Sequence, residues 1–303
     1  MQLKWNADEL FGQIGQTPLV NIAHDHKKNG IIVAKLEFQN PSGSLKDRSV
    51  ANMLLHALKE NKLQNNRQVL DSSSGNAGIS YATLCAALGL AVTLVVPGNA
   101  SKERLLQIKA LGATLIETDP LKGYDAAIIK AQQLAKKQPK KYWYANQYAN
   151  PYNWQAHYEG TGDELIQQCK ERFGRVPDAF VTGIGTGGSI TGIARALKAV
   201  NPDIHILGVV PEIFPGIDGL KSIHNPKDII PEILDLTVVD NTLTVTIEQA
   251  VKTAQDLAKE GLFVGPSSGA NVFAAKTLLD KYELIATLLC DSGERYISSG
   301  LWS

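Results

Sequence analysis

The sequence predicts an α/β protein built from two doubly wound domains, each a largely parallel sheet covered by helices. Three observations carry that expectation. Strand-sized apolar runs alternate with amphipathic helical stretches, polar glycine-rich loops fall where strands hand over to helices, and 303 residues exceed the usual size of one domain.

The elements follow in order. The run Ile31 to Leu36 reads as a strand, and Pro41, Ser42 and Gly43 then make a turn ahead of a helix from Arg48. Val69-Leu70 is the next strand, and the helix from Gly78 to Leu88 is broken by Gly89 before the strand Ala91 to Val96. Ser101 is expected to cap the helix that follows, with Glu103 in its first turn, Leu105, Leu106 and Ile108 on its apolar face, and Gly112 after its end. Ala113 to Ile116 is a further strand. A second series begins with the strand Ala179 to Thr182, the helix Ile190 to Val200 and the strand His205 to Val210, with a later helix from Asn271. The domain boundary is expected near residues 146 to 160. Ligand loops at the strand C-termini of both domains would then meet in one interdomain cleft.

Composition narrows the function. Thirty basic residues balance thirty acidic ones, so no field favours nucleic acid or an anionic membrane, and a small-molecule site is the better expectation. Cys85, Cys169 and Cys290 are odd in number, far apart and without CxxC spacing, which suits buried thiols in a reducing cytoplasm rather than a disulfide framework or a zinc site. Met1 to Asn6 lacks the apolar core of a signal peptide, and the uncharged stretch Ser72 to Ser101 is too broken by its polar loop and Gly89 to span a bilayer. His24-Asp25-His26 lies in a polar turn with no third ligand, so no metal is expected.

Three loops carry the chemistry. In Asn40-Pro41-Ser42-Gly43-Ser44-Leu45-Lys46-Asp47-Arg48, Asp47 and Arg48 can pair locally, so the Lys46 amine is expected to serve a ligand, with Schiff-base chemistry open to it. Asp71-Ser72-Ser73-Ser74-Gly75-Asn76-Ala77-Gly78 brings hydroxyls and backbone amides to one spot suited to a carboxylate, or else is a serine-rich helix cap. Gly183-Ile184-Gly185-Thr186-Gly187-Gly188-Ser189 is an anion cradle at a helix start. Gly183, Gly185 and Gly188, with Glu212 past the next strand, also satisfy the dinucleotide fingerprint, so a nicotinamide-dependent enzyme competes at this point.

Taken together these segments resemble the pyridoxal-phosphate enzymes of fold type II, and most closely the cysteine synthases (O-acetylserine sulfhydrylases) with their B-type branch. The resemblance starts at Ile14-Gly15-Gln16-Thr17-Pro18-Leu19-Val20. It continues through Lys46, the Asn76 loop and Asn146-Gln147-Tyr148-Ala149-Asn150-Pro151, and ends with Gly265-Pro266-Ser267-Ser268-Gly269 and Cys290-Asp291-Ser292-Gly293-Glu294-Arg295-Tyr296.

The resemblance implies a smaller mobile domain within residues 1–150, core about 40–146, and a larger coenzyme-phosphate-binding domain at 151–303 whose sheet residues 13–39 or so would join. It further implies that Lys46 bonds the coenzyme as an imine, that Asn76 faces its 3-hydroxyl, that Gly185, Thr186, Gly187, Gly188 and Ser189 hold its phosphate, and that Ser267 contacts the ring nitrogen. Substrate would sit on Ser73, Ser74 and Asn76, with Gln147 closing across the cleft. Lys221 could pair a leaving phosphate, although a solvated loop lysine is its simpler reading. The implied reaction is β-replacement of O-acetylserine by sulfide through an aminoacrylate, in a cytoplasmic homodimer. O-phosphoserine, homocysteine or ammonia chemistry are its near alternatives. Departures from the family pattern are Ala77 for a threonine, Ser189 for a threonine, and a Phe214 to Lys221 loop without the paired arginines linked to thiosulfate use.

Overall fold

The computed structural model describes residues 7–24, 30–224 and 229–302. Among them the strands are β1 Leu19–His24, β2 Ile31–Leu36, β3 Gln68–Ser72, β4 Val92–Pro97, β5 Thr114–Thr118, β6 Tyr142–Tyr144, β7 Ala179–Gly183, β8 His205–Pro211, β9 Asn241–Val245 and β10 Leu284–Leu289. The α-helices are α1 Ala7–Gly12, α2 Lys46–Lys59, α3 Asn76–Leu88, α4 Lys102–Ala110, α5 Gly123–Lys137, α6 Pro151–Ala156, α7 Asp163–Phe173, α8 Gly188–Val200, α9 Ile247–Lys259 and α10 Pro266–Lys276.

The chain divides into two compact units, one of Met1–Ile14 with Lys46–Asn153 and the other of Gly15–Leu45 with Trp154–Ser303. The first holds a four-stranded parallel sheet in the order β5-β4-β3-β6. Its inner strands β3 and β4 carry apolar residues on both sides because both faces are covered. Val69, Leu94 and Val96 pack with Val50, Met53, Ile79, Leu84 and Ile108 of α2, α3 and α4, whereas Leu70 and Val95 pack with Ala127 and Ala131 of α5.

The second unit holds a six-stranded sheet in the order β1-β2-β10-β7-β8-β9, in which only the β1 to β2 pairing is antiparallel. Phe180, Ile206 and Leu288 face a core with Leu165 of α7 and Ile193 and Leu197 of α8. Val181, Leu207 and Ile285 face the other way, onto Ala250 of α9 and Ala270 and Ala274 of α10. Two helix-covered, largely parallel sheets are thus present, as the alternation of apolar runs predicts.

Several local expectations shift. The helix expected from Asn271 begins five residues earlier at Pro266, so Ser267 and Ser268 lie inside its first turn rather than ahead of it. Ser101 does stand at the start of α4, but its hydroxyl donates to the Glu103 carboxylate at 2.8 Å rather than capping an amide. Tyr152 stacks on His56 at 3.7 Å in the first unit. In the second, the Arg195 guanidinium lies over Trp154 at 4.4 Å, and His157 Nδ1 pairs with Thr161 Oγ1 at 2.9 Å in a π-helical turn, His157–Gly162, that the sequence did not announce. Asp25 and His26 of the histidine pair lie outside the described residues. No described helix is long and apolar enough to cross a membrane.

Candidate active site

In the first unit, β4 and β5 are added on one side of β3 and β6 on the other, so the winding reverses between β3 and β6. Open parallel sheets bind ligands outside the carboxyl ends of their strands at such a reversal. The loops that emerge there are Ser73–Asn76 after β3 and Ala145–Tyr148 after β6.

These two loops are tied to each other. The Ser72 carbonyl accepts from Gln147 Nε2 at 2.9 Å and from the Tyr124 hydroxyl at 2.6 Å, while the Gln147 carbonyl accepts from Asn153 Nδ2 at 2.7 Å. Gln147 is therefore a buried brace on the Ser72 loop within the same unit. Ser73 Oγ accepts from the amides of Gly75 at 3.3 Å and Gly78 at 3.0 Å, and its hydroxyl is also hydrogen-bonded to Tyr124. Gly78 leaves no room for a side chain, since a Cβ there would run into the Ser73 carbonyl oxygen. The loop is shaped from within before α3 starts at Asn76, where the leading amides of a helix serve an outside acceptor.

Lys46 is the first residue of α2. The next residue, Asp47, is fully buried and accepts from Ser80 Oγ of α3 at 2.5 Å, so the start of α2 is locked to the helix that follows the Ser72 loop.

Directly before that loop stands Asp71, fully buried at the end of β3. Its Oδ2 accepts from the Tyr81 hydroxyl at 2.7 Å and the Gln147 amide at 3.3 Å, and its Oδ1 from the Ser72 amide at 2.8 Å. Burial outweighs these donors and raises its pKa from 3.8 to about 6. Between those values the unfolded chain releases a proton that the folded chain keeps, so the contribution of Asp71 to stability is greatest below pH 4 and falls until about pH 6. The shift of about two units corresponds to about 3 kcal/mol. The difference in unfolding free energy between the parent and Asp71→Asn is expected to shrink by about that amount from pH 4 to pH 7 in matched denaturant titrations. A difference that stays flat with pH would show the carboxyl to be ionised throughout.

In the second unit the winding reverses between β7 and β10, since β8 and β9 lie on one side of β7 and β10 on the other. The loops here are Ile184–Gly187 and the segment after β10, Cys290–Gly293. Gly187 has φ +83°, and a Cβ on it would come within 2.7 Å of Leu234 Cβ, so both conformation and space require glycine.

Helix α8 then starts at Gly188 without a side-chain cap, and the Thr191 amide closes on the Gly187 carbonyl at 3.0 Å. The amides ahead of Thr191, with the nearly buried hydroxyls of Thr186 and Ser189, form a cradle that fits a phosphate dianion. Lys221 is half-buried, and its amide donates to the Ile184 carbonyl at 2.8 Å, which fixes the Phe214 to Lys221 loop beside the cradle. Ser267 is buried in the first turn of α10, while its neighbour Ser268 accepts from the Cys290 amide at 2.8 Å.

Sequence reasoning missed two phenols and one cation near the first loop. Tyr124 and Tyr148 are hydrogen-bonded to each other, and burial raises both so that they stay protonated. Arg104 Nη1 lies 3.8 Å from where a Cβ on Gly75 would sit. Their distance along the chain from Ser73 hides them, although Tyr148 adjoins Gln147 and so offered a signal. The buried thiols of Cys85 and Cys169 are both pushed up to about 12 by burial and are inert as nucleophiles.

Comparison with known proteins accords with this geometry. The family model "Pyridoxal-phosphate dependent enzyme" matches residues 10–291. The cysteine synthase of Aquifex aeolicus is 45% identical over 98% of this chain and 92% of that protein. Cysteine synthase B of Campylobacter jejuni is 39% identical over 96% of this chain and 97% of its own length. Among solved structures, the cysteine synthase of Entamoeba histolytica superposes with a TM-score of 0.88 at 32% identity, covering 97% of this chain and 90% of that one.

Proposed function

Because the chain belongs to the family of pyridoxal-phosphate-dependent enzymes, we propose that it is a cysteine synthase that converts O-acetyl-L-serine and sulfide into L-cysteine and acetate. The observation that carries this reading is the occurrence, in a chain 45% identical to a cysteine synthase over 98% of its length, of a lysine opening α2, the Ser73–Asn76 loop, the glycine cradle and Ser267.

The residues fit the coenzyme. Gly185, Thr186, Gly187, Gly188 and Ser189 would hold its phosphate, Asn76 its 3-hydroxyl, Ser267 its ring nitrogen, and the Lys46 amine would bond it covalently. Once bound, the coenzyme supplies an electron sink for breaking the Cα–H bond and for loss of the β-substituent. Ser74 and Asn76 orient the substrate carboxylate on a loop that Ser73 shapes and Gln147 braces. The Lys46 amine would take the proton from the substrate Cα and later return it to the same carbon. The Ser267 hydroxyl is neutral, so it stabilises no charge on the ring nitrogen and leaves the sink weak. A weak sink favours prompt loss of a β-substituent over racemisation.

A homodimer in a reducing cytoplasm is part of the same proposal, and the buried cysteines are compatible with that compartment. The Lys221 backbone is held beside the cradle, and O-phosphoserine is the alternative donor whose leaving phosphate its side chain would pair, against the simpler reading of a solvated loop lysine. Titrating coenzyme-loaded protein with O-acetylserine, then separately with sulfide, thiosulfate, homocysteine or ammonia, tests the reading. Sulfide is expected to restore the starting spectrum fastest and yield cysteine; faster restoration by homocysteine or ammonia would replace the assignment. Lys221→Ala is expected to spare O-acetylserine turnover and slow any O-phosphoserine turnover, whereas equal effects on both would remove the phosphate role.

A further inference from the structure

The segment after β10 carries a motif that the reaction as described does not use, Cys290-Asp291-Ser292-Gly293-Glu294-Arg295-Tyr296. Its first residue makes two main-chain contacts in opposite directions. The Cys290 carbonyl accepts from the Leu45 amide at 3.0 Å, one residue before Lys46, and the Cys290 amide donates to Ser268 Oγ at 2.8 Å, one residue after Ser267. A single residue thus sets the spacing between the backbone that delivers Lys46 and the helix turn that presents Ser267.

The next residues lock that spacing. Asp291 is fully buried, bridges to Ser44 in antiparallel fashion, and accepts the Gly265 amide on its carbonyl at 3.1 Å. Its carboxylate packs against Gly265, where a Cβ would strike Oδ1, and accepts from the buried Tyr296 hydroxyl at 2.7 Å. Arg295 reaches back to the Ser42 carbonyl, and its Nη2 lies 2.9 Å from where a Cβ on Gly43 would sit. Gly43, at φ +84°, therefore leaves room for the guanidinium as well as making the turn.

We infer that Asp291, Arg295 and Tyr296 are positioning residues that fix the Ser42 to Leu45 backbone, from which Lys46 follows, against the Gly265 to Ser268 turn that carries Ser267. The inference rests on the coenzyme reading, in which Lys46 would bond the coenzyme and Ser267 would contact its ring nitrogen. Neither Arg295 nor Tyr296 touches the reacting atoms. Both act through Ser42 to Leu45 and through Gly265 to Ser268, and an error in that spacing misaligns the lysine amine with the substrate α-carbon.

The test uses full-length coenzyme-loaded protein, with Tyr296→Phe, Arg295→Ala and Arg295→Lys compared with the parent per mole of bound coenzyme. Tyr296→Phe and Arg295→Ala are expected to lower kcat about tenfold with the KM for O-acetylserine within about twofold, and to slow borohydride trapping at Lys46. Arg295→Lys, which can still donate to the Ser42 carbonyl, should recover part of both. Gly43→Ala, which crowds the guanidinium, should reproduce the Arg295→Ala loss. Unchanged kcat and unchanged trapping per loaded site in Tyr296→Phe and Arg295→Ala, even with a lowered melting temperature, would overturn the inference and leave the motif purely structural. Absence of trapping at Lys46 in the parent itself would instead overturn the coenzyme reading, so the two failures are distinguishable.

Discussion

Lys46→Ala is expected to lower turnover of O-acetylserine with sulfide by at least ~10³-fold, and to remove the borohydride-stable adduct from the peptide that contains position 46. The size follows from the two tasks that one amine performs, holding the coenzyme and moving the Cα proton. An alanine at this position loses both, while the fold should survive because Lys46 opens α2 rather than filling a core. Lys46→Arg is expected to fail nearly as badly, since a guanidinium keeps its proton and is a poor nucleophile at neutral pH. Steady-state rates with mass spectrometry of the reduced protein decide the matter. Residual turnover within tenfold of the parent, or an adduct on another lysine, would remove Lys46 from the centre of the mechanism.

The position of Lys46 was readable because turn chemistry is local. Pro41, Ser42 and Gly43 announce a turn, and an amphipathic stretch follows, so the handover to a helix needs no tertiary information. The same holds for the glycine cradle and for the strands Ile31 to Leu36 and Ala179 to Thr182, whose largely apolar runs match β2 and β7. Sequence alternation also gives parallel sheets, and hence the idea that loops at strand C-termini bind the ligand. It does not give strand order. Only the topology shows that β6 lies beside β3 and β10 beside β7, placing Gln147 under the Ser72 loop and Cys290 beside Ser268.

Helix starts were read less well where glycine and serine crowd together. Pro266 at the first helical position is a standard start signal, yet the Ser267-Ser268-Gly269 run obscured it and moved the expected start to Asn271. Partnerships across long stretches of sequence were not legible at all. Tyr124 meeting the Ser72 carbonyl, or Tyr296 meeting Asp291, depends on packing that no short-range pattern encodes.

Lys35 is the sharpest case of such hidden information, and the largest stability effect follows from it. In the sequence it interrupts the apolar run of β2 and would pass for a residue turned to solvent, but it is fully buried. An ammonium has three N–H donors. Here they meet the Glu164 carboxylate at 2.8 Å, the Thr17 carbonyl at 2.9 Å and Gln168 Oε1 at 2.9 Å. Thr17 in turn donates to buried Glu37 at 2.6 Å, and Glu37 accepts from Asn40 Nδ2 at 3.0 Å, at the head of the turn that leads to Lys46.

Lys35→Met is expected to destabilise the protein by about 3–5 kcal/mol, because it removes the buried ammonium that pairs with the nearly buried Glu164 carboxylate. Pairing it with Glu164→Leu should recover most of that loss, since replacing both charges by apolar groups removes the desolvation cost along with the attraction. Urea unfolding of the two single variants and the double variant measures the coupling directly. A double variant no more stable than Lys35→Met would mean that the cost lies in the Thr17 and Gln168 contacts. Lys35 would then act as an anchor for the Thr17 to Asn40 network rather than as one half of an ion pair.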